Sequence, residues 1–158
     1  MPELDPSTRQ KVALVTGGDQ GIGRGVAEAL AADGWRVHVT FRTAEKGRRA
    51  VERHGEDRVH EADLLDESAA ARAVEAVVER EGALDALVHA VGPYTTGRLS
   101  GTDPGTFDGM LRGNLFTALH VVAAARPHLR QSRGAYLFFG CAGLERWRAR
   151  EVTTAYIA

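Results

Sequence analysis

An α/β fold, a doubly wound parallel sheet with helices on both faces, is what this sequence predicts, and three observations carry the prediction. Short apolar runs alternate with longer amphipathic segments from Lys11 onward. The strand-like runs, at 12–15, 35–41, 59–62, 84–91 and 135–139, are separated by stretches long enough for crossover helices. The first run opens into a glycine-rich turn, with five glycines in the nine residues 17–25, that leads directly into a helical stripe. This β-α-β-α-β-α-β-α-β order implies right-handed crossovers. Ligands of such sheets sit at the carboxyl ends of the strands, so the loops after Val15, Phe41, Ala62, Val91 and Phe139 are the candidate site.

Each element has its own warrant. Val12–Val15 is an apolar run with the look of a buried strand. Ile22, Val26, Ala29 and Leu30 lie at i, i+4, i+7 and i+8, one stripe of a helix that stops at Gly34. Trp35–Phe41 alternates and is rich in β-branched residues. The basic segment 42–54 is weakly helical and closes at Gly55. Val59–Ala62 is a short strand ending at Asp63. Asp66 can cap a helix running to about Glu81, with Val74, Val77 and Val78 inward. Leu84–Val91 is a strand broken by Gly92-Pro93. One long helix is expected from Pro104 to Leu129, with Phe107, Met110, Leu111, Leu115, Ala118, Val121, Val122 and Ala125 as its apolar stripe. Gly134 precedes the fifth strand, and Thr153 or Thr154 resembles the cap of a further helix.

At 158 residues the chain suits one domain, read as a polar lead over 1–10 and a single folded unit over 11–158. A net charge of -1 gives no reason to expect nucleic acid or an acidic membrane surface as partner. The single cysteine, Cys141, excludes an intramolecular disulfide and points to a reducing, cytoplasmic setting. No apolar stretch approaches the roughly 18 residues of a membrane-spanning helix. The histidines show no ligand spacing, so no metal site is expected.

The glycine loop is the chemical centre of the sequence. A strand, a tight turn and a helix start aim backbone N–H groups and the positive end of a helix dipole at one small volume, which suits phosphate. A P-loop needs Lys and then Ser or Thr after Gly23, and Arg24 and Gly25 stand there instead. The strict G-x-G-x-x-G fingerprint fails as well. Thr16-Gly17-x-x-x-Gly21-x-Gly23 fits as a longer variant with the same logic. Gly17 permits the turn, Gly21 lets the backbone approach a pyrophosphate, and Gly23 lets helix and sheet pack closely.

Thr16-Gly17-Gly18-Asp19-Gln20-Gly21-Ile22-Gly23, with Asp63 after the third strand, His89-Ala90-Val91-Gly92 after the fourth, Asn114 in the next helix and Thr154-Ala155-Tyr156 near the end, resembles the short-chain dehydrogenase/reductase family, and within it the 3-oxoacyl-carrier-protein reductases. The resemblance implies a Rossmann-like fold, cut short after the fifth strand. It makes Gly17, Asp19, Gln20, Gly21, Ile22 and Gly23 the dinucleotide loop. Asp63 and Leu64 match the pair that embraces adenine; the plainer reading of Asp63 is a cap on its turn. Ala90 and Gly92 match the small residues beside the cofactor ribose. His89 replaces a family asparagine and is read as a structural histidine bonding across strands.

An acid after the second strand would bond an adenine ribose but repel a ribose phosphate. Here Arg42 stands in that region, able to pair with a 2′-phosphate, so NADP(H) is expected over NAD(H); a solvated surface arginine is the alternative. Asn114 matches the family asparagine that holds a water in the proton relay, or else pins its helix to the sheet. Tyr156 matches the acid that protonates the carbonyl. A free tyrosine is only about a thousandth phenolate at neutral pH, so a nearby cation is needed. The family lysine that provides it would fall two positions beyond Ala158, and Gly140 or Cys141 occupies the place of the family serine. The arginine-rich segment 144–151 around Trp147 lies near the family's substrate mouth.

The expected function is that of an NADP(H)-dependent reductase acting on a small carbonyl or alcohol, free or carrier-linked, in a homo-oligomer (dimer or tetramer). This chain by itself is expected to be an inactive fragment. The alternatives are a non-catalytic NADP(H)-binding protein and an assembly partner that keeps only the fold.

Overall fold

The computed structural model describes residues 9–140. Five strands, β1 (Val12–Thr16), β2 (Arg36–Phe41), β3 (Val59–Glu61), β4 (Ala86–His89) and β5 (Ala135–Phe138), form one sheet in the order β3-β2-β1-β4-β5. Every pairing is parallel, with Leu14 opposite both His38 and Leu87 at the centre. The expected doubly wound, Rossmann-like architecture is what is seen. Strand order reverses at β1, so the crevice between the ends of β1 and β4 is the topological switch point.

Alternate residues of β1 feed two cores, as the two-residue strand period requires. Val12 and Leu14 pack with Val74, Val77, Leu87, Val121 and Ala125, beneath α3 (Glu67–Glu81) and α5 (Thr117–Ser132). Val15 packs with Ala27, Val37, Val39, Ala50 and Val88, beneath α1 (Gly21–Ala32) and α2 (Ala44–His54). Fully burying each large aliphatic side chain contributes about 1.5–3 kcal/mol. Asp66 caps α3 as expected, its carboxylate accepting from Ser68 N–H at 2.9 Å.

Arg9 and Gln10, within the polar lead, are tied to the sheet and to the end of α1. Arg9 grips the Asp85 carboxylate with both guanidinium nitrogens (2.5 and 2.6 Å), and Val12 N–H gives Asp85 a third bond at 2.8 Å. Burial alone would raise the Asp85 pKa, but Arg9 and the Val12 amide hold it below its usual value. Gln10 bonds the Gly34 carbonyl at 2.7 Å.

Two expectations are corrected. The single helix over 104–129 is two helices, α4 (Pro104–Leu111) and α5, joined by a π-helical turn at Arg112–Phe116. Phe107 and Leu115 of the expected stripe are exposed, and beyond the wider turn the buried row of α5 is Thr117, Val121, Ala125 and Leu129. Ile22, placed at the head of the α1 stripe, is 63% exposed, because α1 turns Gly23 and Ala27 inward instead.

Candidate dinucleotide site

The glycine loop is shaped by a left-handed backbone at Gly17 and by two contacts a side chain would block. Gly17 has φ +67° and its N–H reaches Thr40 Oγ1 at 3.3 Å. A Cβ on Gly23 would lie 2.3 Å from the Gly17 carbonyl oxygen, so helix and loop touch backbone to backbone. A Cβ on Gly18 would meet Val39 at 2.5 Å. Gly21, with φ +52°, faces open space. Gln20 leaves α1 without a side-chain cap, and the first helical bond runs from Arg24 N–H to the Gln20 carbonyl at 3.0 Å. The N–H groups of Gly21, Ile22 and Gly23 precede that bond and have no partner within the helix.

Gly21 and Ile22 border a cavity of about 610 Å³. Gly17, Asp19, Gln20, Gly21, Ile22, Arg42, Asp63, Leu64, Ala90 and Gly92 all line it, while Gly23 packs underneath. A second cavity, about 540 Å³ and largely apolar, adjoins it across Ile22 and residues 90–92, and Asn114, Tyr136 and Phe138 line its walls. Donors at a helix start, an opening at Gly21 and a cation at one end suit an elongated, phosphate-bearing ligand.

A directed chain of hydrogen bonds runs beneath the crevice. Thr117 Oγ1 donates to the Gly113 carbonyl at 2.7 Å, so it must accept from His89 Nε2 at 3.2 Å. His89 Nδ1 then accepts from Thr16 Oγ1 at 2.8 Å, and Thr16 Oγ1 accepts from Ala90 N–H at 3.3 Å. This order fixes one neutral imidazole tautomer, protonated on Nε2. Burial pushes His89 down to about 4, in keeping with that role. His89 thus ties the glycine loop to the π turn and is a structural bridge.

Asn114 lies on that turn, half-buried. Its amide donates to the Pro93 carbonyl (3.1 Å) and to the Met110 carbonyl (3.0 Å), pinning the turn to the loop after β4. A Cβ on Gly92 would lie 2.2 Å from Asn114 Oδ1. Gly92 is therefore required by Asn114. Asp63 does cap its turn, accepting Leu65 N–H at 3.1 Å, while remaining on the cavity wall. Leu64 belongs to the core beneath α3 and also meets the cavity.

Arg42 is exposed and makes no ion pair among the described residues. Lys46, which the sequence reading passed over, lines the same cavity and faces Asp19 at 3.8 Å, with the Asp19 side chain only 6% exposed. One signal was available: Lys46 falls in the first turn of α2, where the helix dipole disfavours a cation. Thr117, beside the expected apolar stripe and not on it, gave no sequence signal. Tyr156, Cys141, the segment 144–151 and the Thr153/Thr154 cap lie outside the described residues. Among the described residues no cluster of three His, Cys, Asp or Glu side chains is placed to hold a metal, and no helix is long and apolar enough to cross a membrane.

Comparison with known proteins agrees with this geometry. The pattern of the short chain dehydrogenase family matches residues 11–145. The chain is 36% identical over 127 residues to the granaticin polyketide synthase putative ketoacyl reductase 2 of Streptomyces violaceoruber, covering 77% of this chain and 50% of that protein. It is 35% identical over 138 residues to the 3-oxoacyl-[acyl-carrier-protein] reductase MabA of Mycobacterium tuberculosis, covering 85% of this chain and 52% of that one. A blue fluorescent protein from a metagenomic library, solved in complex with NADPH, superposes with a TM-score of 0.81 at 28% identity, over 93% of this chain and 62% of that one. The chain spans about half the length of the curated relatives it matches. On the family match and these identities, with the parallel sheet and glycine loop behind them, the chain belongs to the short-chain dehydrogenase family.

Proposed function

We propose that this chain forms the cofactor-binding part of an NADP(H)-dependent oxidoreductase that interconverts a carbonyl and an alcohol. The observation that carries the reading is the cavity itself: helix-start N–H groups at Gly21 and Ile22 border it, and Arg42, free of ion pairs among the described residues, stands where a ribose-binding acid would otherwise be. A related protein of 28% identity has been solved in complex with NADPH, which supports the same cofactor here.

In this reading the loop at 17–23 takes the pyrophosphate, Arg42 the 2′-phosphate, Asp63 and Leu64 the adenine edge, and Ala90 and Gly92 leave room for a ribose. When bound, the cofactor supplies or receives the hydride. The chain's own residues position and protonate. Asn114, held by two carbonyls at the apolar cavity, orders the proton path, and Tyr156 delivers the proton to the substrate oxygen. The apolar cavity beside Asn114 suits the reacting end of a small carbonyl or alcohol, and relatives named as acyl-carrier-protein reductases support a carrier-linked one. Exposed Phe107 and Phe116 give the helical segment around the π turn apolar surface that a dimer or tetramer would cover. The single cysteine favours a cytoplasmic home. The test is carbonyl-dependent NADPH consumption by the full protein: Tyr156→Phe abolishes it, whereas unchanged turnover removes Tyr156 from the mechanism.

A further inference from the structure

Asp19 and Lys46 pose a charge problem. Asp19 is a nearly buried carboxylate on the wall of a cavity built for anions, and it accepts no hydrogen bond among the described residues. Its ion pair among the described residues, to Lys46 Nζ at 3.8 Å, is longer than a hydrogen bond. The ammonium, on a side chain 35% exposed, therefore keeps its three donors for another acceptor. Its position in the first turn of α2 is electrostatically unfavourable for a cation, yet it suits a cation that must meet an anion there. Arg42, two residues before α2 begins, lines the same cavity.

We infer that Lys46, stationed by Asp19, is a second reader of the cofactor's 2′-phosphate, working with Arg42. This rests on the NADP(H) reading. Arg42 and Lys46 carry one positive charge each and Asp19 one negative, so the three side chains sum to a single positive charge facing a phosphate of about two negative charges. Removing Lys46 brings the sum to zero and leaves Asp19 without a counter-ion. Removing the Asp19 charge instead raises the sum and favours the phosphate. Asp19 thereby tempers the affinity that Lys46 and Arg42 create, and NADH, which has no phosphate at this point, is indifferent to Lys46.

The experiment measures NADPH and NADH dissociation constants by nucleotide fluorescence for the purified chain and for Lys46→Met, Asp19→Asn and the double variant. Lys46→Met is expected to weaken NADPH by about tenfold, the scale of one charge-assisted hydrogen bond at a partly exposed site, with NADH unchanged. Asp19→Asn is expected to tighten NADPH. The double variant has no buried charge left unpaired, so it keeps the question answerable if Lys46→Met unfolds. Its NADPH affinity should fall about tenfold below that of Asp19→Asn. Equal losses for both nucleotides, or no loss on removing Lys46, overturn the inference while leaving NADP(H) binding intact. If the unaltered chain binds neither nucleotide, the NADP(H) reading itself fails.

Discussion

Acid should weaken this fold through His89 in a measurable way. The imidazole is 5% exposed and is held neutral between Thr16 and Thr117, and burial lowers its pKa from 6.5 to about 4. Between those two values the unfolded chain binds a proton that the folded chain refuses. Stability therefore rises with pH across the window, is complete above the unfolded pKa, and is lost as pH falls toward the folded one. Integrating the linkage for one such group between about pH 7 and pH 4.5 gives a loss on the order of 2 kcal/mol. His60, also lowered to about 4, and His38, lowered by burial, act in the same direction, so a single acid titration would not isolate His89. Comparing the protein with His89→Asn does isolate it. Asparagine offers a donor and an acceptor to the same threonines but does not titrate, and any constant cost cancels in the pH difference. Urea unfolding of both proteins at the two pH values should show the unaltered chain losing about 2 kcal/mol more than the variant. The same loss in both would refute the assignment of His89 as a buried neutral bridge.

Other consequences follow from close contacts and ion pairs. Gly23→Ala places a Cβ 2.3 Å from the Gly17 carbonyl oxygen, and urea midpoints should record a destabilisation of about 1–3 kcal/mol. Gly92→Ala drives into Asn114 Oδ1 and should cost a similar amount. In an Asn114→Ala background most of that cost should vanish, and an undiminished cost there would show that Asn114 is not the obstacle. Arg9→Ala strips the Asp85 carboxylate, whose side chain is 12% exposed, of its bidentate partner, and thermal unfolding should report a loss of about 1–3 kcal/mol at neutral pH. Because Arg9 helps hold the Asp85 pKa down, its stabilisation disappears as pH falls through that lowered value, so the two proteins should converge in acid.

The parts of this molecule that were legible in its sequence are those where one local rule decides. Val12–Val15 is apolar on both faces because both faces are covered, and Gly17 and Gly23 mark places where backbone meets backbone. Asp66 announced a helix start that it does cap. What escaped depends on partners distant in the chain. The π turn at Arg112–Phe116 has no periodic signature of its own; it is stabilised by Asn114 and Thr117 bonding back to Met110 and Gly113. Asn114 broke the apolar stripe and was the only trace of it. The Asp19–Lys46 pair joins the glycine loop to α2, and no spacing rule links those positions. His89 was readable as structural, but its tautomer needed Thr16, Thr117 and Gly113 together in space.

The central claim is that this crevice holds a phosphate-tagged nicotinamide dinucleotide, and titrating the purified chain with NADPH and with NADH, beside Arg42→Ala, tests it most directly. The account predicts a saturable change in NADPH fluorescence at lower concentration than for NADH, with that preference much reduced in Arg42→Ala. Binding of neither nucleotide, or an equal affinity for both that Arg42→Ala leaves unchanged, would contradict it.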